Sequence, residues 1–365
     1  MMNKTKNVVN NICKQIGLII IALVIATIFL ALSGYDPIAV IRGLMESISG
    51  DIGGTIRWAT PLILAGLAIC VTYKAEVFNL GVDGQLIMGA CAGTAVALVI
   101  PATLPAGIAA PLVIIVSMAA GALYALIPAV LKVYTGTNEV VSTLLFNFIA
   151  TLFLEFLVTG PLTDKTSGVA LNASAIVPKN TWLPRISYLA PSTANIGFYI
   201  GLILVVVMGF IFYKTTLGHE IKIVGANRTL AKYAGMNPNR SVFQVMIISG
   251  AIAGMIGAIE VFAIQHRLLA GFNPGFGFDG IVVSLLANNN PFGVLFSGLF
   301  FGALINGGIN MERATDVPSA VTDIVMAIII IIVAANFAIP RVRGYFRLYR
   351  KADNPDTGVK GGKTE

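Results

Sequence analysis

Charge is what this sequence has least of: Asp, Glu, Lys and Arg make up only 11% of its 365 residues, while 56% are hydrophobic. Soluble domains carry about a quarter charged residues, so an ordinary soluble fold is excluded. Histidine is nearly absent, with His219 and His266 alone, in segments that read as loops on opposite sides. They form no HExxH pair and no catalytic constellation, which sets aside a membrane-embedded enzyme. Cys13, Cys70 and Cys91 lack paired spacing and offer neither a disulfide framework nor a metal site. A nucleotide-binding loop is missing too: Gly358-Val359-Lys360-Gly361-Gly362-Lys363-Thr364 is one residue short of GxxxxGK[ST] and follows no strand.

What the chain does have is long apolar runs. A helix needs about 20 apolar residues to cross a hydrocarbon core, because its backbone must satisfy itself without water. Such runs read as 16–32, 55–72, 85–100, 106–131, 140–159, 196–213, 242–264, a shorter 278–286, 292–309 and 320–339. The expectation is an all-α polytopic membrane protein of about ten transmembrane helices, the short one broken or re-entrant. The run from Ile16 to Leu32 is too long for a secretory signal and reads as a retained helix. A transmembrane domain over 16–340 is thus flanked by a short terminus, 1–15, and a polar Gly/Lys-rich tail, 341–365, whose composition predicts disorder. With the N-terminus inside, seventeen Lys and Arg fall on the cytoplasmic side against seven outside, Arg57 among the seven. Basic residues near helix ends set orientation, so both termini are expected in the cytoplasm of a bacterial cell. The formal charge of +7 is then topology and not a nucleic-acid footprint.

A weak internal repeat is visible. Phe78-Asn79 followed by Gly81-Val82-Asp83-Gly84 resembles Phe272-Asn273 followed by Gly277-Phe278-Asp279-Gly280, 196 residues later. The expected topology starts these copies on opposite sides, the relation of inverted halves that meet around a transport path. Acidic groups within apolar spans are costly and need an account. Asp83, Glu139 and Asp279 stand at expected helix starts, where a carboxylate caps free N–H groups; Glu155 and Glu260 lie deeper and either pair across helices or line the path. No Lys or Arg reads as deep in a span, which argues against a proton relay and so against a self-powered secondary transporter. Amides cluster along the proposed path: Asn79, Gln85, Asn138, Asn147, Asn273 and Asn288 to Asn290. They both donate and accept, suiting transient contact with hydroxyls or base edges; helix–helix hydrogen bonding is the competing reading.

The long basic loop 214–241 contains a short helix by its punctuation. Asn227 is an N-cap, Gly235 a left-handed stop, and Pro238 blocks continuation. Leu230, Ala231 and Ala234 give it a small apolar face while Arg228 and Lys232 stay solvated, as a helix docking into another subunit requires.

The run Phe78-Asn79-Leu80-Gly81-Val82-Asp83-Gly84-Gln85-Leu86-Ile87-Met88-Gly89-Ala90 resembles the signature of ABC-importer permeases for nucleosides, simple sugars and branched-chain amino acids. Thr137 to Thr143, Ala231-Lys232-Tyr233-Ala234-Gly235, and Gly275 to Ile281 through Asn289-Asn290-Pro291 resemble the nucleoside branch, over residues 55–340 in all. The resemblance implies a type II importer-like fold; the candidate substrate path read from the acids and amides takes in Asn79, Asp83, Gln85, Asn138, Asn147, Asn273, Asp279 and Asn289. The resemblance also implies a coupling helix over 225–238, with Gly225, Asn227, Arg228, Ala231, Tyr233, Ala234 and Gly235 facing the motor. The implied partners are separate ATPase subunits holding ATP and Mg, a second and different permease chain, an extracytoplasmic substrate-binding lipoprotein and the bilayer; no cofactor is implied for this chain. One departure is Ala287 and Asn288, where such permeases more often carry glycine.

Overall fold

The computed structural model describes residues 36–164 and 172–314, with scattered positions between 17 and 34 and between 320 and 332. Two compact units are distinguished: 1–37 with 323–365, and 38–322. In the first, the described positions between 17 and 32 and between 323 and 332 are helical. The first and last expected spans therefore fall largely outside the described residues, as do the terminus 1–15 and the tail 341–365.

The second unit, as far as it is described, is helical. It comprises α1 (Pro37–Gly50), α2 (Ile52–Tyr73), α3 (Val82–Val99), α4 (Ala106–Val130), α5 (Glu139–Thr159), α6 (Gly197–Lys214), α7 (Thr216–Ala226), α8 (Arg228–Tyr233), α9 (Pro238–Ile259), α10 (Phe276–Leu286) and α11 (Pro291–Ala314). One π-turn extends α4 over Leu131–Thr135 and another extends α9 over Glu260–Gln265. Among the described residues seven helices are long and apolar enough to cross a membrane, and α10, with 11 residues, is the shorter apolar helix that was expected. Helices α1 and α7 were not expected, and α7 takes in His219, which had read as a loop residue.

Helices α2 and α9 hold the second unit together. Helix α9 packs against α4, α3 and α2, while α11, α10 and α6 gather on α2. Close approach of α9 to α4 depends on Gly254, where a Cβ would collide with the Ser117 carbonyl oxygen. Helix α5 is peripheral: 28% of its apolar window is buried, against 78% for α9 with its π-turn. Its outer face presents Leu145, Phe148, Leu152 and Phe156.

At one end, called here the cap end, residues 172–195 lie over the turn after α9. Ser174 N–H donates to Leu268 O at 2.8 Å, Val177 N–H to His266 O at 2.9 Å, and Leu183 N–H to Phe262 O at 3.0 Å. Trp182 stacks on His266 at 3.7 Å between ring centres. These contacts tie the described part of the Pro-rich stretch to the end of α9. The opposite, basic end carries Lys74, Lys132 and helices α7 and α8.

Candidate functional site: a junction of two chain turns, a short capped helix and a polar cavity

The two copies of the sequence repeat meet. In each, the Asn after Phe folds its side chain onto the backbone two residues on: Gly81 N–H donates to Asn79 Oδ1 at 3.0 Å, and Gly275 N–H to Asn273 Oδ1 at 3.1 Å. Both turns lead straight into a helix, α3 and α10. Asp83, in the first turn of α3, accepts from Gly277 N–H at 2.8 Å and from Asn273 Nδ2 at 2.7 Å. One carboxylate thus serves the positive ends of two helices, where the dipoles favour it.

Around this junction the amides are satisfied within the protein. Asn79 and Gln85 exchange both hydrogen bonds at 3.0 Å, and Asn79 Nδ2 also reaches Ser249 Oγ at 2.9 Å. Asn147 accepts from Gly84 N–H and donates to Leu80 O, each at 2.8 Å. Asp83, Asn147 and Asn273 line a cavity of about 320 Å³ walled by Phe148, Phe272 and Phe278. Asp279 is half-buried one turn into α10. The structure thus brings together Asn79, Asp83, Gln85, Asn147 and Asn273.

Two expected path residues lie elsewhere. Asn138 is exposed and caps α5, accepting from Val140 N–H at 2.9 Å. Asn289 is buried behind α10, accepting from Ser284 Oγ at 2.9 Å, and its carbonyl takes a contact from Cys70 Sγ at 3.0 Å. Asn288 and Asn289 both have φ of 52°, a left-handed stop that asparagine tolerates better than other non-glycine residues, which explains Asn where glycine is more usual.

At the basic end the short helix has its expected punctuation: Asn227 accepts from Leu230 N–H at 2.9 Å and Gly235 has φ of 78°. The expected apolar face is split. Ala231 is fully buried, whereas Leu230, Ala234 and Tyr233 project outward, Tyr233 at 88% exposure. Arg228 is exposed. Gly225 closes α7 instead of opening α8, and a Cβ there would strike the Lys74 carbonyl at the end of α2. Beside it, Lys222 donates to Phe212 O at 2.6 Å and lies over the Tyr213 ring at 4.5 Å. Burial and then the charge of Lys74 hold its ammonium below the usual lysine range. Lys132 and Glu139 form an ion pair at the same end.

A third feature was missed in the sequence. Arg57, inside the expected span 55–72, lies within α2 and makes a two-pronged ion pair with Glu260, at 2.9 and 3.3 Å, with side-chain exposures of 11% and 1%; this is the cross-helix pairing that was one of the two readings of Glu260. Its guanidinium rests on Trp58, 4.3 Å from the ring centre. Pro61, lacking an N–H, leaves the Arg57 carbonyl without its helical donor, and Glu260 opens the π-turn, so both helices are locally loosened where the charges meet. Arg57 faces a cavity of about 590 Å³ with Asp51, Trp58, Asn306, Asn310 and Arg313. The available signal was Asn306 and Asn310, four apart on one helical face. Among the described residues no group of three His, Cys, Asp or Glu side chains could hold a metal.

Comparison with known proteins accords with this architecture. The chain is 37% identical to a guanosine ABC transporter permease protein of Bacillus subtilis, over 92% of this chain and 96% of that one. It is 34% identical to a nucleoside ABC transporter permease protein of Lactococcus lactis, over 93% and 94%. It is also 33% identical to a glucose ABC transporter permease protein of Haloferax volcanii, over 94% and 92%. No solved structure matches it. Residues 52–334 match the family described as branched-chain amino acid transport system / permease component, and the chain belongs to that family of multi-pass membrane permeases.

Proposed function

We propose that this chain is the permease subunit of an ABC importer that carries nucleosides into the cell, driven by ATP hydrolysis in separate subunits. The observation that carries the reading is likeness along nearly the whole chain to permeases whose names specify guanosine and nucleosides. The glucose permease of comparable likeness supports a sugar as the second reading.

In this reading the fold is type II importer-like with inverted halves, each half contributing one Asn turn to the junction at Asp83. Asp83, Asn147 and Asn273 belong to the path wall, while Asn79 and Gln85 hold the turn in shape. The basic end faces the cytoplasm with both termini, and α8 engages an ATPase subunit through Leu230 and Tyr233. Displacement of α8 passes through α7 to the Gly225–Lys74 contact, and from there along residues 75–82 to the junction. An extracytoplasmic binding lipoprotein meets the cap end, and a second, different permease chain completes the path. ATP and Mg stay in the motor subunits.

The test is uptake of labelled guanosine and uridine in cells with this gene deleted and restored, with ribose, glucose and leucine as competitors. Loss and recovery of nucleoside uptake is expected. Intact nucleoside uptake with lost sugar uptake reverses the cargo assignment.

A further inference from the structure

The cavity at Arg57 is not among the residues that the family signature marks, yet it has the build of a solute site. Its volume of about 590 Å³ lies in the range of small-molecule sites, roughly 300–1,000 Å³. Its charges balance: Arg57 is matched by Glu260 behind it, and Arg313 shares the wall with Asp51. A site for an anion would show unmatched positive charge, so balance favours a polar but uncharged ligand.

The hydrogen-bonding capacity left over points the same way. The pairing with Glu260 uses two of the five guanidinium donors of Arg57, and the aromatic support of Trp58 fixes the plane of the rest. Asn310 uses one amide N–H on Asp51 Oδ2, at 3.3 Å, leaving a donor and its carbonyl oxygen. Asp51 Oδ1 is occupied by Gly54 N–H, whereas Oδ2 receives only two long contacts, from Asn306 and Asn310 at 3.3 Å each. A sugar hydroxyl is a better donor to that oxygen than either.

We propose that this cavity is a binding site for the nucleoside on its way through the permease: Asp51 and Asn310 take the ribose hydroxyls, and the planar guanidinium of Arg57 meets the base edge. The site rests on the nucleoside reading above. It excludes nucleoside monophosphates, whose phosphate would meet the Asp51 carboxylate while Arg57 is already neutralised by Glu260 behind it.

The test places a thiol in the cavity of the complete transporter in cells. Asn310→Cys is treated with a bulky, membrane-impermeant thiol reagent, with the parent chain as control. Modification is expected to cut nucleoside uptake at least fivefold. Uridine or guanosine is expected to slow labelling at least threefold, while the 5′-monophosphate and leucine leave it unchanged. Thr193→Cys, which lines the same cavity from the loop before α6, serves as a second reporter should Asn310→Cys fail to assemble. Uptake by the parent strain is read first: absence of nucleoside transport overturns the nucleoside reading and this inference with it. Intact nucleoside transport with unprotected labelling, or labelling that leaves uptake untouched, overturns the cavity alone.

Discussion

Asp83 is the residue on which the two halves of the sequence repeat converge, and its role separates by substitution. Asp83→Ala removes the acceptor for Gly277 N–H and Asn273 Nδ2 and leaves buried donors unmet, which costs about 1–3 kcal/mol. Asp83→Asn keeps an acceptor oxygen and loses only the charge. Thermal unfolding in detergent should therefore fall clearly for Asp83→Ala and little for Asp83→Asn. If Asp83→Asn also transports normally, the carboxylate is a cap and not a solute contact. The sequence already placed Asp83 at a helix start, because acid, glycine and the apolar run after them are local signals. It did not show which helix would receive the cap, since the second acceptance spans 194 residues. The partner of Arg57 was hidden for the same reason: two residues inside the expected edge of its span, Arg57 meets Glu260 only through the fold, across 203 residues.

At the scale of elements, helix stops were legible and helix packing was not. Asn227, Gly235 and Pro238 bracket α8 by local chemistry alone, so its bounds came out of the sequence. Helix α7 has two glycines and no long apolar run, and it exists because those glycines let it lie against backbone, Gly218 on Ile211 and Phe212, Gly225 on Lys74. Gly225→Ala must push α7 off the end of α2. ATP hydrolysis in the assembled complex is expected to persist while nucleoside uptake falls at least tenfold; equal retention of both would remove Gly225 from the lever.

The cap gives a pH prediction at the same scale. Burial, and secondarily the charge of Arg185, lowers the pKa of His266 from its ordinary value of 6.5. An opened cap frees this histidine to titrate near 6.5, so it takes a proton more readily than the closed one. Closure is fully favoured above that pH and is weakened as the pH falls below it toward the lowered value. Amide exchange at Val177 and Leu183, corrected for intrinsic rates, should show less protection at pH 5.0 than at 7.5. His266→Asn, which keeps a residue suited to φ of 56°, should abolish the difference.

For the whole molecule the decisive tie is between α2 and α9, each the centre of its own group of helices. Their glycine-mediated neighbours supply close packing, but the only ion pair between long helices among the described residues and set deep in the protein is Arg57–Glu260. Removing one member of such a pair strands the other charge and costs about 3 kcal/mol or more, whereas replacing both by apolar groups is often neutral. Glu260→Leu alone should lower the unfolding temperature sharply, and Arg57→Met with Glu260→Leu should restore most of it. Transport answers differently from stability. The double variant regains a packed interface but has lost the guanidinium that faces the polar cavity, so its nucleoside uptake should stay low while binding-protein-stimulated ATP hydrolysis recovers with folding. Uptake that recovers together with stability would mean the pair only braces the two helices; continued loss in a stable protein means the molecule keeps a costly buried charge there because the solute meets it.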